Sequence, residues 1–273
     1  MYILLIHISS AGMRRIADMI TSQTGNYAKS LVIGENDADD RANGFLMPVF
    51  DQVDYVCDII QNDPQLKDGY HAVGFSQGAQ FLRGVAQKCP SPPMINFISI
   101  HGQHEGVYGF PGCDVEDYPE ICDLLRRLLD LAYLPEIQSR LVQAQYWHDP
   151  VHENGDTYRR NSEYIAPINN DVREGYDINQ DYKTNLMKLQ KFVMVKGEKD
   201  ITVLPNDTSW FGFYADGSDT KLLSLQEGKI YQADVLGLAE MDKDGKLVFK
   251  TTPGGHMSFS DAWFISDIIP YLQ

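Results

Sequence analysis

The sequence predicts one α/β domain, residues 1–273, built on a mostly parallel central sheet with helices on both faces. Three observations predict it. Through the first half, apolar strand-like runs alternate with helical patterns, an order that yields parallel strands joined by crossover helices. A glycine-flanked serine turn sits between one such strand and the next helix. Late in the chain an acidic turn and then a histidine loop each follow a further strand-like run.

The elements are justified in order. Residues 2–8 form a continuous apolar run, the pattern of a strand buried on both faces. Residues 13–20 have helical spacing, and 31–33 are a short second strand candidate. Residues 49–60 place Val49, Val53, Val56 and Ile60 on one helical face. Then come a strand over Tyr70–Phe75, a helix over Gln77–Lys88 and a strand over Met94–Ile100. From 101 to 190 the alternation breaks into Gly, Pro, Asn, Asp and aromatics, with helical stretches at 121–133 and 135–145. That segment reads as an insertion laid over the sheet. Strand character returns at 191–195 and 246–249, and 262–269 reads as a closing helix.

With 273 residues, 43% of them hydrophobic and 22% charged, the chain suits a folded globular protein. A net charge of -15 repels phosphate backbones and anionic membrane surfaces, so nucleic acid is not an expected partner. No run of about 20 apolar residues occurs, so no transmembrane helix is expected. The first eight residues lack a basic leader and are read as a core strand rather than a targeting segment. Four cysteines form no C-x-x-C pair, and no histidine cluster has zinc spacing, so neither metal nor cofactor is expected. Cys113 and Cys122 are close enough for a local disulfide, with Cys57 and Cys89 as a second bridge. Four buried thiols explain the count equally well.

Residues Gly74-Phe75-Ser76-Gln77-Gly78 form a G-x-S-x-G motif. Its chemistry needs a serine on a sharp strand-to-helix turn, with small flanking residues where the strand and helix crowd together. The strand before it and the helix after it supply that context. Ser76 is therefore the candidate nucleophile, and the backbone N–H of Gln77 a candidate oxyanion donor. In the α/β-hydrolase order an acid and then a histidine follow the serine. Gly197-Glu198-Lys199-Asp200 is the turn after a late strand, with Asp200 preferred and Glu198 the rival. His256 lies in the loop before the last helix, and the other histidines, His152 and those before it, are read as surface or packing residues. His256 would take the proton from Ser76, and Asp200 would orient its ring.

Several stretches make the chain similar to the palmitoyl-protein thioesterases of the lysosomal type. They include Gly69-Tyr70-His71-Ala72-Val73 leading into the serine motif, Cys89-Pro90-Ser91-Pro92-Pro93-Met94, and Gly102-Gln103-His104-Glu105-Gly106-Val107. Gln145-Tyr146-Trp147-His148-Asp149-Pro150 and Trp210-Phe211-Gly212-Phe213-Tyr214 continue the similarity, which runs from about residue 49 to the C-terminus. The resemblance implies an α/β-hydrolase fold and hydrolysis of palmitoyl and other long-chain acyl groups from S-acylated cysteine in proteins or peptides. It implies Ser76, Asp200 and His256 as the triad, disulfides Cys57–Cys89 and Cys113–Cys122, and a lysosomal or secreted location. It also implies an acyl groove beneath the insertion, a lipid-binding subdomain over about 101–190. Trp147 is a candidate lining residue there, although a core aromatic is the plainer reading. Where the family has His-Gly-Met-Gly-Asp after its first strand, this chain has His7-Ile8-Ser9-Ser10-Ala11. Ser9 then stands where the second oxyanion amide belongs, and losing one such donor costs about 2.7–4 kcal/mol. Asn206-Asp207-Thr208 is a glycosylation sequon. The rival functions are a carboxylesterase or lipase acting on oxygen esters, and a weakly active acyl-binding relative with an altered first loop.

Overall fold

The structure is a computed structural model that describes residues 2–6, 10–109 and 130–273. Among the described residues six strands form the main sheet: β1 (Tyr2–Ile6), β2 (Tyr27–Ser30), β3 (Tyr70–Phe75), β4 (Met94–Ile100), β5 (Lys191–Gly197) and β8 (Leu247–Thr252). Their order is β2-β1-β3-β4-β5-β8, and every pairing is parallel. The chain steps from β1 outward to β2, then crosses back to lay β3 on the other side of β1. That reversal opens a crevice beyond the strand C-termini between β1 and β3, where open α/β sheets bind ligands. Ile6 pairs with Gly74 there, so β1 ends level with the serine turn. Two short strands, β6 (Phe213–Tyr214) and β7 (Leu222–Leu223), make a separate antiparallel pair.

The period of two explains how the sheet fills two cores. Tyr70, Ala72, Phe97, Phe192 and Met194 face one side, packed with helices α3 (Val49–Asn62) and α4 (Gln77–Lys88) and the segment between β4 and β5. Val73, Phe75, Ile98, Ile100, Val193 and Val195 face the other, against α1 (Ser10–Thr24) and the C-terminal helix Asp261–Asp267. Helix α3 is amphipathic in the expected way, burying Val49, Val53, Val56, Cys57 and Ile60. Each such fully buried aliphatic side chain contributes about 1.5–3 kcal/mol. Cys57 on α3 and Cys89 at the end of α4 form a disulfide that ties these neighbouring helices together.

Helix α4 is buried on its polar face as well. Gln80, Arg83 and Gln87 are each 0% exposed, because the segment between β4 and β5 covers them. The Tyr164 hydroxyl donates to Gln80 O at 2.9 Å, and a Cβ on Gly84 would lie 2.5 Å from that hydroxyl oxygen. Arg83 donates to the His104 and Ile168 carbonyls, Asn169 Oδ1 and Gln87 Oε1. A buried guanidinium is tolerable because both of its terminal nitrogens are answered twice, although Nε is buried without a hydrogen-bond partner among the described residues.

The structure differs from the sequence reading in four places. The strand expected over 31–33 lies one step earlier, at Tyr27–Ser30. Leu31 and Ile33 are still buried, but the backbone of Ile33 is occupied by α2 (Asp37–Leu46): its N–H donates to Asp40 Oδ1, and its carbonyl accepts from Asn43 Nδ2. Helix α2 was not expected. Its start is set by Asn36, which accepts from the Ala38 and Asp39 amides, and by three aspartates that suit the positive end of the helix dipole. The helix expected over 135–145 is two single turns, Pro135–Gln138 and Val142–Gln145. The Gln138 amide bridges the Ala132 and Ala144 carbonyls across the break. Of the helix expected over 121–133, residues 121–129 lie outside the described residues, and Asp130–Tyr133 form a 3-10 turn.

Candidate active site

The serine turn is built by crowding. Ser76 has φ 52° and ψ -122°, a conformation that costs energy for any residue with a Cβ. It is held by Ser76 N–H donating to Ile100 O and by Ala79 N–H donating to Ser76 O. A Cβ on Gly74 would lie 2.5 Å from Ala79 Cα and 2.8 Å from Gly78 O, so the strand must be glycine there. The turn leaves Gln77 as the first residue of α4, where backbone amides have no carbonyl within the helix. Its side chain is engaged elsewhere, donating to Gly44 O at 2.8 Å.

Two distant segments converge on the serine. His256 Nε2 lies 2.8 Å from Ser76 Oγ, and His256 Nδ1 lies 2.7 Å from Asp200 Oδ2. Asp200 Oδ1 accepts from the Thr202 and Val203 amides. Its carboxyl is 1% exposed. Burial alone would raise its pKa, but the bonds from His256 and the two amides outweigh that and hold it below the usual carboxylate range. As an ionised acceptor it requires a proton on His256 Nδ1, which leaves Nε2 free to accept from the serine. The acid's turn and the histidine loop are joined directly, since Lys199 N–H donates to Gly254 O. Glu198, the rival acid, is exposed and accepts from the Thr251 hydroxyl instead.

Two residues past the end of β4 also enter the site. His101, read from sequence as a surface or packing residue, is 0% exposed. Its Nδ1 accepts the N–H of Met257, next to His256, and its Nε2 lies 2.9 Å from Thr252 Oγ1. An acceptor at Nδ1 places the ring proton on Nε2, so the ring is neutral. Burial, partly offset by Asp200, lowers its pKa to about 4. Gln103 Nε2 lies 3.3 Å from Ser76 Oγ. A usable signal was present in the sequence: both residues follow a central strand directly, where sheet topology gathers functional groups. His101, Asp200 and His256 also cluster closely enough to hold a metal ion. Yet each ring nitrogen there already has a hydrogen-bond partner, an arrangement suited to proton transfer rather than ligation.

The other expected positions are as follows. Ser9 lies outside the described residues, as do Cys113 and Cys122. Trp147 is 3% exposed, packed with its ring centroid 5.2 Å from that of Tyr108, and its carbonyl accepts from the Tyr133 hydroxyl. The Asn206 amide donates to Gly197 O, and the Thr208 hydroxyl is buried against Gly106 O.

Comparison with known proteins was made against this geometry. The family model described as palmitoyl protein thioesterase matches residues 4–256. The chain is 44% identical over 246 residues to "Palmitoyl-protein thioesterase 1" of Caenorhabditis elegans, covering 90% of this chain and 80% of that one. It is 34% identical over 227 residues to "Palmitoyl-protein thioesterase 3" of Dictyostelium discoideum, covering 81% and 75%. It is 27% identical to the "Lysosomal thioesterase PPT2 homolog" of Drosophila melanogaster, covering 80% and 73%.

Proposed function

Because the chain belongs to the palmitoyl protein thioesterase family, we propose that it hydrolyses palmitoyl and other long-chain acyl groups from S-acylated cysteine in proteins or peptides, through an acyl-enzyme on Ser76. One observation carries the assignment of roles. A hydroxyl, an imidazole and a carboxylate from three separate loops hydrogen-bond in series at 2.8 and 2.7 Å.

The chemistry follows from that series. Ser76 Oγ attacks the thioester carbonyl as its proton passes to His256 Nε2, and Asp200 stabilises the imidazolium. The Gln77 backbone N–H at the start of α4, with a second amide at Ser9, stabilises the oxyanion. The carbon–sulfur bond breaks, and the cysteine leaves as a thiol with the proton from His256. A thiolate leaves more readily than an alkoxide, so this step needs less acid assistance. Water, deprotonated by His256, then attacks the acyl-serine and releases the fatty acid. The acyl chain lies beneath the segment over about 101–190, while Trp147, buried against Tyr108, fits the core-aromatic reading. Each methylene buried there contributes about 0.8 kcal/mol. A lysosomal or secreted location agrees with the family and with the Cys57–Cys89 disulfide, which persists in oxidising compartments.

The test compares turnover of matched palmitoyl thioester and oxygen-ester substrates, alongside labelling by a fluorophosphonate probe. Preferred thioester turnover, with labelling that vanishes in Ser76→Ala, is expected. A strong oxygen-ester preference, or labelling that survives Ser76→Ala, overturns the reading.

A further inference from the structure

We propose that Gln103 is a further catalytic residue, its side-chain amide donating to the charge that develops on the acyl group attached to Ser76. The inference rests on Ser76 being the nucleophile. It adds a donor from a different segment than Gln77 or Ser9.

The orientation of the amide follows from proton accounting at the serine. Asp200 holds a proton on His256 Nδ1, so Nε2 accepts and Ser76 Oγ must spend its single proton on that ring. Oγ therefore has lone pairs alone for its other neighbours, and whatever faces it must be a donor. The group that faces it is the Gln103 side chain, with Nε2 at 3.3 Å. A carbonyl oxygen in that place would meet lone pairs and be repelled, so the NH2 of Gln103 points at the reacting atom.

The surroundings hold the side chain in place. His101 has φ 54°, which turns the chain sharply off the end of β4 while its N–H still bonds Val195 O. A Cβ on Gly102 would sit 2.5 Å from Ser99 Oγ and 2.7 Å from Ala79 Cβ, so glycine lets this turn press onto the first turn of α4. His104 is pinned on the far side, with Nε2 at 2.7 Å from Ser99 Oγ and its N–H on Thr208 O. The Gln103 carbonyl accepts from Gly106 N–H. With backbone and both neighbours fixed, the buried side chain is confined beside Oγ, while its Oε1 has no hydrogen-bond partner among the described residues and ties it to nothing else. A preorganised donor of this kind costs no reorganisation when charge appears.

During the reaction the bond from Oγ to the carbonyl carbon forms, the carbonyl π pair moves onto its oxygen, and the serine proton goes to His256. Oγ becomes an ester-type oxygen and a poor acceptor, while the neighbouring oxygen on the same carbon becomes an alkoxide. An amide already within reach of Oγ transfers its hydrogen bond to that alkoxide with a small movement. Hydrogen bonds of this type are commonly long in the resting enzyme and tighten in the transition state.

The experiment measures kcat and KM on a palmitoyl thioester for the wild type, Gln103→Leu, Gln103→Glu and Ser76→Ala from pH 5 to 8, with melting temperatures. Gln103→Leu is expected to lower kcat by about a hundredfold with KM little changed. The deficit of Gln103→Glu is expected to be larger at pH 8 and to shrink toward pH 5, where a protonated carboxyl regains a donor. The deficit of Gln103→Leu stays constant with pH. A packing role would instead lower the melting temperature and leave both deficits independent of pH. A Gln103→Leu kcat near wild type, or a Gln103→Glu deficit that does not shrink in acid, overturns the proposal while Ser76→Ala remains inactive. Activity surviving in Ser76→Ala overturns the nucleophile assignment and this inference with it.

Discussion

Replacing Asp200 by asparagine tests the proton logic of the site most directly. Asp200 Oδ1 accepts two backbone amides, from Thr202 and Val203, at 2.9 and 3.1 Å, while Oδ2 faces His256 Nδ1. In Asp200→Asn the amide oxygen must take the Oδ1 position, because an NH2 there would confront two N–H donors. The NH2 is then left facing His256 Nδ1, which must accept instead of donate. The ring proton moves to Nε2, and Nε2 can no longer take the proton from Ser76. An equivalent tautomer reversal in a serine protease triad costs about 10⁴ in kcat, which is about 5 kcal/mol at 1.36 kcal/mol per decade. The near-isosteric side chain keeps both backbone bonds, so the melting temperature should scarcely change. Initial rates on a palmitoyl thioester, together with thermal melts of both proteins, measure the two effects. A kcat within tenfold of wild type with the fold intact would refute the reasoning.

Three further outcomes are expected. Arg83→Met leaves the His104 carbonyl and Asn169 Oδ1 without a buried donor, and should cost about 3–5 kcal/mol in urea denaturation; a loss below 1 kcal/mol contradicts the network described here. The double change Cys57→Ser with Cys89→Ser opens a bridge spanning 32 residues, so unfolding in guanidinium should show a loss of about 3–4 kcal/mol. Acid should destabilise the fold through its buried neutral imidazoles. Burial lowers the His101 pKa to about 4 and that of His148 to about 3. Their unfolded forms take up protons from about pH 6.5 downward while the folded rings do not. Stability is therefore undiminished above pH 6.5 and declines as pH falls toward 4, by up to about 1.4 kcal/mol per pH unit for each ring. Glu105, raised well above the usual range by burial, opposes this in part. Calorimetry should find a lower melting temperature at pH 5 than at pH 7, and an equal or higher one refutes the sign.

Tyr70–Phe75, Gln77–Lys88 and Met94–Ile100 were legible to the residue because their signals are local: a buried apolar run, a glycine-flanked serine, a helical stripe. Helix α2 was not, because it is specified by its cap and first-turn aspartates rather than by an apolar stripe. The burial of the polar residues of α4 was not legible either, since their cover comes from a segment some 80 residues away that donates to Gln80 and accepts from Arg83.

The chain's own pattern of residues was sufficient for the α/β class, the serine elbow and the order of serine, acid and histidine. These depend on periodicity and turn chemistry within short windows. The strand order, the inward direction of Asp200, which the sequence already favoured over Glu198, and the arrival of His101 and Gln103 at the serine emerged with the assembled sheet. Asp200 and Glu198 share one turn, and they differ in that one carboxylate points inward to His256 while the other meets the Thr251 hydroxyl at the surface. That direction is set by which strands lie side by side, and contacts across a parallel sheet join residues that no local stretch of sequence brings together.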